Sequence, residues 1–357
     1  MRRIEDIDPN FQIPDAVPGD YVFHDPRREP FSLWGLCPNE EGTYHRLPLD
    51  LLPACSEGVR HLSRHTAGGI VRFSTDADGL CVVWTLMDRG NMPHKAATGQ
   101  SGMELYEETD LGARQIKTVI PQMDNGLGCK KHQCTFVPLP GGMRHYALYL
   151  PLYNGLEEFL LGLPPAARIE PGRTPRIKKP LVFYGSSITQ GGCACKTGAC
   201  YTAILSRRLD AAHINLGFSG NARGEAVMAE YIASLEMSAF ILDYDHNAPS
   251  VEHLKATHEA FYRTVRQAQP DLPIVMASKP DFDADPRYAA QRREIIMQTY
   301  LNALRDGDRR VAFVDGQLMF GNRDRDLCTV DGTHPTNLGF LRMADAFEAP
   351  LRALMGL

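Results

Sequence analysis

The chain has 357 residues, 43% of them hydrophobic and 23% charged, with a formal net charge of −5. That length can bury one or two full cores. The mild acidity, with no concentrated basic face, argues against nucleic acid as a partner, and no run of about 18 apolar residues is present to span a membrane.

At the N-terminus, Arg2-Arg3 is followed by acids and prolines rather than by an apolar run of about 7–15 residues, so no secretory leader is expected. The nine cysteines are an odd count and do not outline a small disulfide-stapled scaffold. Reduced thiols in a cytoplasmic protein are the expectation. Beyond this start the first part reads as β. Ile70 to Phe73 and Leu80 to Leu86 are runs of Val, Ile, Phe and Trp separated by a turn-like Asp-Ala-Asp-Gly. His145 to Leu152 is another strand, closed by Asn154-Gly155. Short strands with turn signals suggest a sandwich or jelly roll. Residues 163–180 carry five prolines and several basic residues, including Arg176 to Lys179, as an exposed linker would. The expected division is a β domain over 1–170 and a second domain over 178–357.

The rhythm then changes. Leu181 to Tyr184 is a continuous apolar run, as in a strand buried on both faces. Tyr201, Ile204, Leu205 and Leu209 follow at helical spacing. Strands are expected at 214–218, 239–242, 274–277 and 311–314, with helices at 226–235, 251–268, 286–305 and 337–354. Alternation of strand and helix means a parallel sheet covered on both faces. Ligands then bind at the carboxyl ends of the strands.

The first strand runs into Gly185-Ser186-Ser187-Ile188-Thr189-Gln190-Gly191-Gly192. A turn of small residues there is either a phosphate cradle or the seat of a nucleophile. Neither glycine pattern for phosphate fits: position 187 is not glycine, and Lys196-Thr197 follows Cys195. A nucleophile needs a base elsewhere. Asp331-Gly332-Thr333-His334 supplies one, since a carboxylate three residues ahead can hold imidazole Nδ1 and leave Nε2 to take a serine proton. The second strand ends in Phe218-Ser219-Gly220-Asn221 and the third in Asp243-Tyr244-Asp245-His246-Asn247. The Gly220 N–H and the Asn247 amide are of the type that stabilises an oxyanion.

This ordered set resembles the SGNH (GDSL-type) hydrolases over roughly residues 178–357. The resemblance assigns Ser187 as nucleophile, His334 as base and Asp331 as the group that orients the base, with Ser187, Gly220 and Asn247 forming the oxyanion hole. It implies a three-layer α/β/α, flavodoxin-like domain, no metal and no organic cofactor. It also implies cleavage of esters or thioesters, often acetyl groups on sugars or lipid acyl groups. The sequence departs from the family pattern at Ser186, where an Asp is usual, and in a third block without a clean Gly-x-Asn-Asp. Gly102-Met103-Glu104-Leu105-Tyr106 is similar to the Gly-x-Asp-Leu-Tyr signature of a β domain that precedes some of these hydrolases, with Glu in place of Asp. The implied partner is a small ester, an acetylated sugar or oligosaccharide, and a homo-oligomer is compatible with the sequence.

Other clusters are weighed against this. Cys193, Cys195 and Cys200 lack a fourth ligand at structural-zinc spacing, and Cys129, His132 and Cys134 form an equally loose set. His246 and Arg223 are candidates to line the pocket or to be surface groups. His253 and His258 are expected on the solvated face of their helix. A non-catalytic carbohydrate-binding protein is the rival reading; it does not require Ser187, Asp331 and His334 together.

Overall fold

The computed structural model describes residues 19–357 except 40, 91, 125, 126, 129, 131 and 132. Cys129 and His132 therefore lie outside the described residues. In the N-terminal region two antiparallel sheets face each other. One takes the order Val22–His24, Leu156–Leu163, Gly79–Leu86, Gln133–Pro138. In the other, Ile70–Thr75 pairs with Arg144–Tyr149, followed by Met103–Thr109 and Gly112–Val119. Both Ser32–Trp34 and Ile169–Pro171 add to the free edge of Ile70–Thr75. Alternation sets the two faces. Tyr146 and Leu148 point into the sandwich core with Phe73, Val82 and Trp84, while Ala147 and Tyr149 point outward.

That outward face is not left to solvent. Tyr106, Ala147 and Tyr149 join Ala199, Cys200, Tyr201 and Ala203 in one apolar cluster that continues into the C-terminal region. The stretch expected as a linker is exposed at many positions, yet it holds the edge strand Ile169–Pro171 and the start of the next sheet at Ile177.

The C-terminal region is a five-stranded parallel sheet. Its strands are β1 (Ile177–Gly185), β2 (Ala211–Gly217), β3 (Ala239–Asp243), β4 (Ile274–Ala277) and β5 (Val311–Val314). They lie in the order β2-β1-β3-β4-β5, the flavodoxin-like arrangement whose order reverses beside β1. Helices α1 (Tyr201–Leu209), α2 (Ala226–Ser234), α3 (Val251–Ala268), α4 (Pro286–Arg305) and α5 (Asn337–Met355) cover it. Along β1, Leu181 and Phe183 pack with α1 and α5, whereas Val182 and Tyr184 pack with α2 and α3. This is the parallel sheet covered on both faces that the alternation of strand and helix predicted, and the three-layer α/β/α domain that the resemblance implied. Among the described residues no helix is long and apolar enough to cross a membrane.

Of the two α3 histidines read as solvated, His258 is not. His258 is buried, its Nδ1 3.0 Å from Thr299 Oγ1 on α4 and its ring stacked on Tyr244. His253 is half-buried, with Nε2 2.7 Å from the Arg223 carbonyl. The neighbouring helix α4 encloses His258, and polar composition alone did not signal it.

Candidate active site

The end of β1 runs into the turn that carries Ser187, the predicted nucleophile. Ser186 caps a single helical turn, Ser187–Gln190, its Oγ accepting from the Ile188 N–H at 3.1 Å. The first N–H groups of such a turn have no acceptor within it, which leaves that of Ser187 available. Gly217 at the end of β2 is required here: a Cβ would collide with the backbone of Thr189 and Gln190. The turn is then fixed from several sides. Thr189 Oγ1 donates to the Asp243 carboxylate at 3.1 Å and Tyr201 donates to the same oxygen at 2.7 Å. Burial raises the Asp243 pKa to about 7, against the lowering effect of those two hydrogen bonds.

Ser187 is buried, and its Oγ lies 3.0 Å from His334 Nε2. His334 Nδ1 is 2.7 Å from Asp331 Oδ2, while Asp331 Oδ1 accepts from the backbone N–H groups of His334 at 2.8 Å and Thr333 at 3.1 Å. The loop that carries them is pinned by a bridge between Thr329 and Pro335. Burial works to raise the Asp331 pKa, but the two backbone donors and the imidazole outweigh it and bring it down to about 2. For His334, burial lowers the pKa and outweighs the raising effect of Asp331; Lys95 and His246 add to the lowering. A neutral imidazole held by a carboxylate, with its far nitrogen on a serine hydroxyl, is equipped to remove that hydroxyl's proton.

The other two predicted residues lie on the loops after β2 and β3. Gly220 is exposed, at φ +70°. Its neighbour Ser219 donates its N–H to Gln190 Oε1 at 3.0 Å, which ties this loop to the Ser187–Gln190 turn. Asn247 Nδ2 donates to Phe218 O at 2.9 Å. An amide nitrogen has two protons, so one remains for another acceptor. Asn247 sits on the turn Asp245–Asn247, which Arg292 fixes by donating from Nε to Asp245 Oδ1 at 2.6 Å.

His246 belongs to a second polar cluster. Asp281, buried, has Oδ2 3.2 Å from His246 Nδ1, 3.3 Å from Lys279 Nζ and 3.2 Å from Thr333 Oγ1. It thus braces the residue before His334. Arg223 is exposed and donates to the Gly220 carbonyl. Of the three cysteines after the Ser187 turn, Cys193 and Cys200 are buried and Cys195 is exposed. Cys195 Sγ accepts from Asn337 Nδ2 at 2.8 Å and Cys200 Sγ lies 3.4 Å from Thr202 Oγ1, so the cysteines have separate surroundings.

Several contributors come from the N-terminal region and had no signal in the sequence. Tyr153 donates its hydroxyl to the Ser187 carbonyl at 2.6 Å. Arg46, fully buried, donates to the carbonyls of Asn215 at 2.9 Å, Gly217 at 2.6 Å and Leu62 at 2.6 Å. Glu104 did lie in a recognised motif: it is buried, pairs with Lys196 Nζ at 2.7 Å and accepts from the Gly198 N–H at 2.8 Å. Its contacts hold the loop that follows the Ser187 turn. A cavity of about 530 Å³ beside Glu107, Arg144 and Arg173 includes none of these residues in its lining.

Residues 178–352 match the model of the GDSL-like lipase/acylhydrolase family, and residues 21–169 match the model for the N-terminus of SGNH-hydrolase-type esterases. Among solved structures, a Bacteroides ovatus protein described as a GDSL-like lipase is 28% identical, with a TM-score of 0.84 over 94% of this chain and 98% of that one. A salicylyl-acyltransferase from a tetracycline biosynthetic pathway is 19% identical, with a TM-score of 0.77 over 94% and 97%. An acetyl xylan esterase from the rumen bacterium Butyrivibrio proteoclasticus is 15% identical, with a TM-score of 0.57 over 95% and 99%. The last two likenesses are of fold. No curated protein matches the sequence significantly.

Proposed function

The chain belongs to the GDSL-like lipase/acylhydrolase family, and from that premise we propose that it is a serine esterase that removes acetyl groups from acetylated carbohydrates. Carboxylic ester hydrolysis follows from the family; the carbohydrate and the roles of individual residues are our reading. One observation carries it: Ser187 Oγ, His334 and Asp331 form a continuous relay with contacts of 3.0 and 2.7 Å.

In this reading Ser187 Oγ attacks the ester carbonyl as its proton passes to His334 Nε2. Asp331 stabilises the imidazolium that forms and holds its tautomer. The oxyanion is met by the N–H groups of Ser187 and Gly220 and by the free amide proton of Asn247. His334 returns its proton to the leaving alcohol. A water, deprotonated by the same imidazole, then releases the acid from Ser187. The carbohydrate assignment is supported by the two-part organisation and fold shared with the rumen acetyl xylan esterase.

The test compares p-nitrophenyl acetate with longer acyl esters and acetylated xylo-oligosaccharides, using the parent and Ser187→Ala. Turnover of acetyl esters and labelling by a fluorophosphonate are expected only in the parent. Preference for long acyl chains would move the substrate to lipids, and sugar binding without turnover would leave a non-catalytic binding protein.

A further inference from the structure

The N-terminal region sends one loop across the catalytic imidazole. It leaves the strand Gly79–Leu86 and is clamped by Asn154, whose Oδ1 accepts from the Asp88 N–H at 3.0 Å and whose Nδ2 donates to the Asp88 carbonyl at 2.8 Å. On this loop His94, exposed, has its ring centroid 5.7 Å from that of His334. Cys193, buried just past the nucleophile turn, faces the same space. One ligand atom each from His94, Cys193 and His334 lie within 4.8 Å of one another. Two imidazole nitrogens and a sulfur are the donor set that suits zinc, with a water at the fourth position. His334 also has the outer partner such ligands carry: Asp331 holds Nδ1 at 2.7 Å, which turns Nε2 outward.

We propose that His94, Cys193 and His334 bind a zinc ion that shuts the esterase off. The metal takes the Nε2 lone pair of His334, so the imidazole no longer accepts the proton of Ser187. Cys193 gives up its thiol proton to solvent as the Zn–S bond forms, and EDTA reverses both events. Zn–N distances of about 2.0–2.1 Å and Zn–S of about 2.3 Å require the three atoms to close by roughly 1 Å, a movement the exposed His94 can supply. Charges at the site are divided. Asp331 favours the cation, and Lys95, whose Nζ sits over the Tyr153 ring, opposes it. Sequence spacing conceals the set, because its members stand at 94, 193 and 334 and only folding gathers them.

The inhibitory part of this inference rests on the esterase reading; the metal site does not. The 357-residue chain, stripped with EDTA, is titrated with zinc chloride, with bound metal and p-nitrophenyl acetate turnover read in parallel. Expected are one zinc per chain, loss of turnover at saturation, recovery with EDTA and no response to Mg²⁺, which prefers oxygen ligands. His94→Ala and Cys193→Ala are expected to keep metal-free turnover and each to lose about tenfold or more in zinc affinity. Zinc binding and inhibition unchanged in both variants would overturn the proposal. So would binding abolished by His61→Ala, since His61, His65 and Asp88 form the other described trio with ligand spacing. A parent that binds zinc through His94 and Cys193 yet hydrolyses no ester would sink the esterase reading and leave the metal site standing.

Discussion

In the C-terminal half, Ser187, Gly220 and Asn247 each follow the end of a parallel strand within four residues. The N-terminal half reaches the same place differently, with Tyr153, His94 and Arg46 delivered from loops between antiparallel strands. In the first case chain order and sheet topology alone decide where a side chain arrives. In the second the position depends on register and on contacts across the whole molecule, which local pattern does not specify. In the proposed reaction the chemistry thus comes from the half with the predictable geometry, and the other half braces and covers it.

If that division is right, the largest losses come from the strand-end residues. Ser187→Ala is expected to lower kcat on the order of 10⁶-fold with an unchanged melting temperature; measurable first-order turnover near the parent's would remove Ser187 from the reaction. Asp331→Asn should cost on the order of 10⁴-fold, because an amide nitrogen facing Nδ1 selects the wrong tautomer. Steady-state kinetics at constant pH read this directly. For Asn247→Ala the expected loss is roughly 10²–10³ in kcat with KM little changed, the signature of a contact made to a developing oxyanion.

The N-terminal half is tested by stability. Arg46→Met removes the guanidinium from three carbonyls, of which that of Leu62 keeps the His65 N–H, at about 1–3 kcal/mol for each of the other two where water cannot enter. Denaturant unfolding should show a loss of about 2 kcal/mol or more, and an unchanged midpoint would show that Arg46 is not a brace. The smallest effect belongs to the buried imidazoles. Burial lowers both His213, on the β2 edge facing Gly68, and His258 to about 3. Above the unfolded value of about 6.5 both states are neutral and nothing changes. Below it the unfolded chain binds the proton first, so stability falls with pH by about 1.4 kcal/mol per unit for each histidine. His258→Leu should flatten this slope, as followed by urea unfolding between about pH 6.5 and 5.

How far the sequence carried differs along the chain. The five parallel strands and their helices were legible because continuous apolar runs and helical periods alternate there. Ser187, His334 and Asp331 were legible as a pattern, and the structure brings them within hydrogen-bonding reach. In the β region the strands Met103–Thr109 and Gly112–Val119 carried little apolar alternation, since Glu104, Glu107 and Glu108 are buried by ion pairs rather than by oil. The Glu104 motif could be seen, but its attachment to Lys196 could not, because the pair is joined only when the two halves dock. His258 was misread for a related reason: a neighbouring helix supplied the hydroxyl that its polar ring needed.

The apolar cluster that runs from Tyr106 and Tyr149 into Ala199 and Ala203 makes the boundary between the halves a seam rather than a hinge. A hydrolase fragment excised near residue 177 would display oily surface and shed Glu104's grip on its own nucleophile loop. Grafting a foreign front half would require remodelling the 197–207 segment as well. Divergence in this architecture is therefore constrained to proceed jointly on both sides of that joint.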